Sequence, residues 1–182
     1  MEKLIALDSS FFLFLNHLPH NTLFDAIGKL FSGIGTAGAV WFLLGIYFIL
    51  RQEKKDHWFL APLIIAGTLS WIITEGILKP MVARLRPAVE MGAIVIGSAN
   101  EGFSFPSGHA TIAWAMAVVL SHKEPKWKWV FYILALLISF SRIYLGKHYP
   151  FDVTGGGLIG WGIGALSIKI SPRLKKILQK SF

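Results

Sequence analysis

The stretch from residue 127 to residue 170, WKWVFYILALLISFSRIYLGKHYPFDVTGGGLIGWGIGALSIKI, decides the fold. It contains two apolar runs, Trp127–Leu145 and Phe151–Ile170, separated by a short polar loop. A helix needs about 20 residues to cross a hydrocarbon core, and each run is close to that length. Because backbone groups inside a bilayer can bond only to one another, each run is predicted to be a transmembrane helix.

Three further apolar stretches complete the predicted bundle. Leu30–Leu50 and Trp58–Leu78 are long enough to span alone, whereas Ala110–Ser121 spans if its helix begins near Pro106 or Ser107. Hydrophobic residues form 54% of the chain and charged residues 15%, below the share of about 25% in soluble domains. We therefore predict an all-α integral membrane protein, a bundle of five transmembrane helices in a single domain of 182 residues.

The N-terminal segment Met1–Leu18 contains an apolar run, Phe11–Leu15, with polar residues on either side. It lacks the small-residue site of a cleaved signal peptide. We predict a helix lying at the membrane interface, with a sixth span as the alternative. The basic tail Ser171–Phe182 is expected to lie on lipid headgroups.

The loops between the five spans fall into two groups. Lys79–Phe105 and Gly146–Pro150 share one face with the N-terminus. The other face has the two short charged loops, Arg51–His57 and His122–Lys126, and the basic tail. That second face holds eleven of the eighteen Lys and Arg residues, so the positive-inside rule places it in the cytoplasm and the long loop outside.

The composition also excludes several chemistries. The chain has no Cys, which excludes a disulfide, a Cys-ligated zinc and a thiol nucleophile. The net charge is +8, but the basic residues are divided among short loops, so nucleic acid is not an expected partner. In a membrane protein such charges are expected to meet lipid headgroups or an anionic substrate.

Three polar clusters lie on or beside the external face: Lys79–Pro87, Phe105–His109 and Ser141–Asp152. They supply three cations, Lys79, Arg86 and Arg142. The planar Arg fork donates two parallel hydrogen bonds to phosphate, and Lys adds a mobile charge. Ser107 and Gly108, at a helix start, add a hydroxyl and free backbone N–H groups. The clusters therefore predict a cradle for an anion such as phosphate.

Two histidines and a carboxylate accompany this cradle. His148 and Asp152 are four residues apart and share a helix face if a helix begins near Pro150. A carboxylate in that position fixes the imidazole tautomer and stabilises its cationic form. His109 is a second imidazole, able to pass a proton to a leaving oxygen. These are the parts that phosphoryl transfer needs. The neighbouring cations oppose a metal ion, so we expect no metal site and no cofactor.

These clusters resemble the signatures of the type 2 phosphatidic acid phosphatase (PAP2) family, K-x6-R-P, P-S-G-H and S-R-x5-H-x3-D. All three are complete here, in order, between Lys79 and Asp152. The resemblance implies a metal-independent lipid phosphatase in which His148 attacks phosphorus, Asp152 orients it and His109 protonates the leaving oxygen. It assigns phosphate binding to Lys79, Arg86, Ser107, Gly108 and Arg142.

The resemblance also implies a phosphorylated membrane lipid as substrate. It implies a multi-pass protein of the bacterial inner membrane with its site on the external face. The candidate lipids are lipid A 1-phosphate, undecaprenyl diphosphate, phosphatidylglycerophosphate and phosphatidic acid. Lipid phosphotransfer at the same site is the alternative. The apolar spans argue against a vanadate-type haloperoxidase, and the complete motifs argue against a non-catalytic transporter. The sequence sets no oligomeric state.

Residues beside the motifs receive other interpretations. Glu75 lies one turn before Lys79 and is expected to form an ion pair with it or with a neighbouring Arg. Arg84 is an additional cation and a candidate for contact with a second phosphate or the headgroup. A stripe of small residues predicts a packing seam between membrane helices: Gly156, Gly160 and Gly164. Four histidines are interpreted as interfacial: His17, His20, His57 and His122.

Overall fold

The computed structural model describes residues 2–51, 58–97 and 102–180, and every regular element in those residues is helical. Its α-helices are α1 (Glu2–Asn16), α2 (Thr22–Ile34), α3 (Ala39–Arg51), α4 (Ala61–Trp71), α5 (Lys79–Val82), α6 (Gly108–Lys123), α7 (Lys128–Tyr144) and α8 (Pro150–Lys180). A π-helical segment, Ile72–Leu78, joins α4 to α5. The all-α prediction is confirmed. The charged residues of the first short loop, Lys54 and Lys55, lie outside the described residues, as does His57.

Helix α6 lies at the centre of the bundle, packed against α4, α7 and α8. Nine of its sixteen residues are buried, several of them alanines that allow neighbouring helices to approach closely. Large side chains from the surrounding helices complete the core: Trp41, Phe59, Leu63, Phe131 and Ile138. Because α6 is buried on nearly every side, its first residues are held rigidly at one end of the bundle.

The glycine stripe of α8 is the seam between α8 and α6. A Cβ atom at Gly156 would lie 2.8 Å from the carbonyl oxygen of Ser107, and one at Gly164 would lie 2.5 Å from that of Ala115. At Gly160 it would run into the backbone of Thr111. The predicted packing seam is confirmed, and it brings the start of α8 against the start of α6.

Among the described residues, three helical stretches are long and apolar enough to cross a membrane: Ala61–Val82, Pro125–Tyr144 and Pro150–Ile177. A fourth crossing results if α2 and α3 form one span bent by 53°. Helix α6 has 16 residues. At about 1.5 Å per residue, it rises roughly 24 Å, short of a hydrocarbon core of about 30 Å. The described helices support three or four spans, and the count of five stays a prediction.

The first predicted span, Leu30–Leu50, is wrong as a single straight helix. The chain is already helical from Thr22 and breaks between α2 and α3. Ala37 and Gly38 have φ values of 50° and 73°, a left-handed conformation that cannot continue a right-handed helix. The chain therefore turns within a stretch that hydropathy alone predicts to be one continuous span.

Helix α1 turns its polar residues toward the protein. Asp8, Phe12 and Asn16 are spaced by four residues and are buried, whereas the opposite side of the helix is apolar and exposed. The Asn16 amide donates to the carbonyls of Ile94 (3.0 Å) and Tyr144 (2.9 Å), and its oxygen accepts from the Ile94 N–H (2.7 Å). The polar residues that interrupt the apolar run thus bind the protein itself. The interfacial placement of α1 stays a prediction.

The basic tail is not a separate segment, because α8 continues without a break to Lys180 and includes Pro172.

Candidate active site

The three sequence clusters meet at one end of the bundle. Lys79 begins α5, Gly108 begins α6, α7 ends at Tyr144 and α8 begins at Pro150. The turn after α7 is closed by two bonds from the Lys147 and His148 N–H groups to the Arg142 carbonyl, 2.9 and 3.2 Å long. The Ser107 N–H donates to the Asp152 carbonyl over 3.0 Å, which joins the second cluster to the third.

His148 and Asp152 are paired inside the protein. The Nδ1 atom of His148 lies 3.6 Å from Oδ2 of Asp152, slightly beyond hydrogen-bond distance. The same Oδ2 accepts the Tyr149 N–H over 2.8 Å, which fixes the carboxylate in the first turn of α8. Both side chains are buried, so their geometry is set by the protein and not by water. The two side chains therefore face each other, with His148 in the loop just before α8 and Asp152 in its first turn.

The other ring nitrogen of His148 faces a cation. Its Nε2 lies 3.3 Å from Nη1 of Arg86. A guanidinium can only donate, so Nε2 is the acceptor in this contact and the ring proton belongs on Nδ1, toward Asp152. In this tautomer the Nε2 lone pair is directed into the cradle. A histidine nucleophile needs such a lone pair on its attacking nitrogen.

The protonation state of His148 follows from its surroundings. Burial lowers the pKa of this imidazole to about 4, and the charges of Arg86 and Arg142 act in the same direction. The Asp152 carboxylate opposes that shift. At neutral pH the ring is therefore uncharged and its lone pair is available.

The predicted cations are held by different partners. Arg86 donates from Nη1 to the Lys147 carbonyl over 3.1 Å, and Arg142 donates to the Ser32 hydroxyl. Lys79 contacts both oxygens of Glu75, at 2.6 and 2.9 Å, as predicted. The Nε atoms of Arg86 and Arg142 are buried and have no hydrogen-bond partner in the part of the chain that is described. These N–H groups are free for an anion.

Ser107 and Gly108 form the start of α6, as the sequence predicts. Ser107 is the N-cap residue and is buried, and its hydroxyl has no partner among the described residues. A Cβ atom at Gly108 would lie 3.0 Å from a carboxylate oxygen of Glu75, so the glycine lets this side chain lie close to the start of α6. A buried N-terminal turn with a free hydroxyl favours a bound anion.

His109 follows in the first turn of α6 and lies toward the bend between α2 and α3. Its Nε2 is 3.5 Å from the Thr36 hydroxyl. Thr36 in turn donates to the carbonyl of Ser32, whose hydroxyl binds Arg142. The second imidazole is thus connected to the cradle through the bend. All eight predicted site residues belong to this one end of the bundle.

The PAP2 superfamily pattern matches residues 58–176, more than half of the chain, and so includes every one of these residues. The chain belongs to the PAP2 superfamily. Undecaprenyl-diphosphatase of Sulfolobus acidocaldarius is 37% identical over 145 residues, which cover 77% of this chain and 68% of that one. Lipid A 4′-phosphatase of Bacteroides thetaiotaomicron is 31% identical over 192 residues, which cover 98% and 83%.

A solved structure is similar to this chain over most of its length. The crystal structure of LpxE from Aquifex aeolicus has a TM-score of 0.75 to the present structure and 34% sequence identity. The similarity covers 88% of this chain and 93% of that one. The helical arrangement described above is therefore shared over nearly the whole chain.

Arg84, between the ends of the first PAP2 motif, does not lie free for a second phosphate. Its Nη1 donates to Asp152 over 2.8 Å and its Nη2 donates to Asp8 over 2.7 Å. Hydrogen bonds between a guanidinium and a carboxylate are strong because both groups are charged. Both terminal nitrogens of Arg84 are therefore engaged inside the protein. The expected contact with a second phosphate or headgroup is thus replaced by an internal one.

Three residues of the site lie outside the PAP2 motifs and were missed from the sequence: Asp8, Ser32 and Thr36. Asp8 had a signal, a carboxylate inside an apolar helical run, which is rare unless it has a partner. Serine and threonine are common in membrane helices, so Ser32 in α2 and Thr36 at the bend gave no comparable signal. Among the described residues no group of three His, Asp or Glu side chains is arranged to hold a metal ion.

Proposed function

We propose that this protein is a membrane phosphatase that releases phosphate from a lipid through a phosphohistidine at His148. The observation that supports it most is the set of unpartnered donors at the end of the bundle that contains His148. The Nε atoms of Arg86 and Arg142 and the Ser107 hydroxyl are buried without a partner among the described residues. Phosphate oxygens would satisfy all three, and buried donors of this kind are strongly favoured to bind an anion.

In the first step, Nε2 of His148 attacks the phosphorus atom and a P–N bond forms as the P–O bond to the lipid breaks. The bound phosphate anion stabilises the protonated form of His109, which then gives its proton to the leaving oxygen and makes the departing lipid an alcohol or a phosphate monoester. Asp152 stabilises the positive charge that develops on the His148 ring. The cations of the cradle compensate the charge on the phosphoryl oxygens.

In the second step, a water molecule attacks the phosphohistidine. His109, now neutral, accepts a proton from that water, and the P–N bond breaks to release inorganic phosphate. His148 returns to its neutral form with the proton on Nδ1. No metal ion takes part in either step of this proposal, because Arg86, Arg142 and Lys79 supply the positive charge.

The substrate proposed is a lipid phosphate of the bacterial envelope, presented at the external face of the inner membrane. The candidates are undecaprenyl diphosphate, lipid A 1-phosphate, phosphatidylglycerophosphate and phosphatidic acid. The similarity to undecaprenyl-diphosphatase and lipid A 4′-phosphatase supports this class. The excess of Lys and Arg at the opposite end of the bundle supports the external placement.

The test is phosphate release from a panel of these purified lipids in detergent micelles. Wild-type protein and His148→Ala are compared side by side, with His122→Ala as the control for an exposed histidine at the other end of α6. We expect release by the wild type and the control and none by His148→Ala. Equal release by all three proteins would contradict the mechanism.

The second test is phosphate release by the wild type in the presence of a metal chelator. Activity that survives an excess of chelator supports the metal-independent step, whereas strict dependence on a divalent ion would overturn it.

A further inference from the structure

Arg84 forms a bridge between two buried carboxylates. Its Nη2 lies 2.7 Å from Oδ2 of Asp8 and its Nη1 lies 2.8 Å from Oδ1 of Asp152. The Asp8 and Asp152 side chains are 1% and 0% exposed. The guanidinium also lies over the ring of Tyr149, with Cζ 4.0 Å from the ring centre. One cation is therefore held rigidly between α1 and the start of α8.

The remaining carboxylate oxygens are also occupied. Oδ1 of Asp8 accepts the Phe151 N–H over 2.9 Å, and Oδ2 of Asp152 accepts the Tyr149 N–H over 2.8 Å. These N–H groups belong to the turn that contains His148 and to the first residues of α8. Asp8, although distant in sequence, thus binds directly to the backbone that positions the nucleophile.

The charges explain why the bridge is needed. A buried carboxylate is strongly destabilised unless a cation or several donors compensate it. Among the described residues, the partners of the Asp152 carboxylate besides Arg84 are His148 and a backbone N–H, so Arg84 is the Arg or Lys that compensates its charge by direct contact. With a single carboxylate partner, the long Arg84 side chain could adopt several rotamers. Two carboxylates, one at each terminal nitrogen, fix the position of the guanidinium.

We propose that Asp8 and Arg84 are positioning residues for the His148–Asp152 pair. Asp8 orients the Arg84 fork, Arg84 holds the Asp152 carboxylate toward Nδ1 of His148, and the first turn of α8 is fixed by the same contacts. The inference rests on the proposed function, because it assigns these residues to the step in which His148 attacks phosphorus. It also gives the N-terminal helix α1, which contains none of the three motifs, a part in catalysis.

This role predicts a specific kinetic signature. Arg84 is engaged by Asp8 and Asp152, not by the cradle, so its loss should leave phosphate binding intact and lower the rate of the chemical step. The motif cations Arg86 and Arg142 should behave differently, because their substitution removes contacts to phosphate itself. The ratio of the effects on kcat and KM separates the two classes.

The decisive variant is Asp8→Asn. Asn keeps the size of the side chain and can still accept the Phe151 N–H, but it presents an NH2 group to the donors of Arg84. We expect kcat to fall at least about tenfold, because small misplacements of a reacting group have effects of this size. KM, and the inhibition constant of inorganic phosphate as a competitor, should stay within about twofold of the wild type.

Arg84→Lys is the second variant. Lys keeps the charge but cannot donate to two carboxylates in a fixed fork, so we expect a similar fall in kcat. The double variant should lose no more than Arg84→Lys alone, because both changes break one bridge. The controls are Glu2→Gln, an exposed carboxylate on α1, and Arg173→Lys, an exposed Arg on α8, which should match the wild type.

The outcomes separate this inference from the proposed function. If the wild type releases no phosphate from any lipid, the proposed function fails. If the wild type is active and Asp8→Asn has the same kcat, or loses phosphate binding while kcat is unchanged, the positioning role is wrong. Size-exclusion chromatography and thermal unfolding accompany each variant. An Asp8→Asn protein that does not fold would assign Asp8 to stability alone and would also overturn the inference.

Discussion

The Nη1 atom of Arg86 lies 3.3 Å from Nε2 of His148, on the side of the imidazole opposite Asp152. Nε2 therefore faces a cation while Nδ1 faces a carboxylate. An anion bound at Arg86 would lie close to Nε2. Under the proposed function, phosphate binding and attack on phosphorus would take place at the same point.

Substitution of Arg86 by Lys should therefore be severe although the charge is kept. Lys has no planar fork, so it cannot bind the Lys147 carbonyl and present further donors to phosphate in a fixed geometry. We expect kcat/KM to fall by about 10²-fold, as for the loss of other donors to a transition state. Arg173→Lys, on the exposed part of α8, is the matched control. An Arg86→Lys enzyme with wild-type kinetics would show that charge alone is sufficient.

The ion pair between Glu75 and Lys79 should compete with phosphate for Lys79. Glu75 is 41% exposed and contacts Lys79 at 2.6 Å, so the pair is open to solvent on one side. Glu75→Gln removes the competing charge, and inorganic phosphate should then inhibit more strongly. The gain should be up to about fivefold, since pairs of this exposure contribute roughly 0.2–1 kcal/mol. Glu2→Gln should show no change. Weaker inhibition would mean that Glu75 orients Lys79 for phosphate.

The formation of phosphohistidine should persist in mild acid. Burial lowers the pKa of His148 to about 4, so the imidazole stays neutral well below 6.5, the usual value for histidine. Protonation of the nucleophile should reduce the rate only as the pH approaches 4. The measurement is the burst of phosphoenzyme from an aryl phosphate, whose leaving group needs no proton from His109. An acid limb centred near pH 6.5 would contradict the assigned environment of His148.

The seam between α6 and α8 should tolerate no added atom. Gly160→Ala places a methyl group against the backbone of Thr111, and we expect a loss of about 1–3 kcal/mol in stability, the usual effect of overpacking. Gly162 has no other atom within 4 Å of a built Cβ and is the matched control. Thermal unfolding in detergent should show a lower midpoint for Gly160→Ala and no decrease for Gly162→Ala. Equal midpoints would argue against the seam.

The apolar spans and the three motifs were predictable because both are local in the sequence. Hydropathy identified the regions that became α4, α7 and α8, and the motif spacing identified His148, Asp152 and the cations. The spacing of four between His148 and Asp152 brings the two side chains together across the first turn of α8 and the two residues before it. Such features depend on neighbouring residues and not on the packing of distant helices.

The bend between α2 and α3 could not be predicted from the same pattern. It depends on the backbone conformation of Ala37 and Gly38, while the side chains around it remain apolar. Thr36, which contacts His109, lies at that bend. The partners of Arg84 could not be predicted for a related reason. Its position beside a phosphate motif suggested a ligand, whereas its partners come from α1 and α8, 76 and 68 residues away.

The burial of α6 has a consequence for biogenesis. Helix α6 emerges from the ribosome before α8, its glycine-lined partner, because α8 follows it in the chain. Until α8 is in place, the N-cap at Ser107 lacks the Asp152 carbonyl that accepts its N–H. The three motif clusters therefore come together only when α8 packs against α6, so a nascent chain that stops before α8 has an incomplete site.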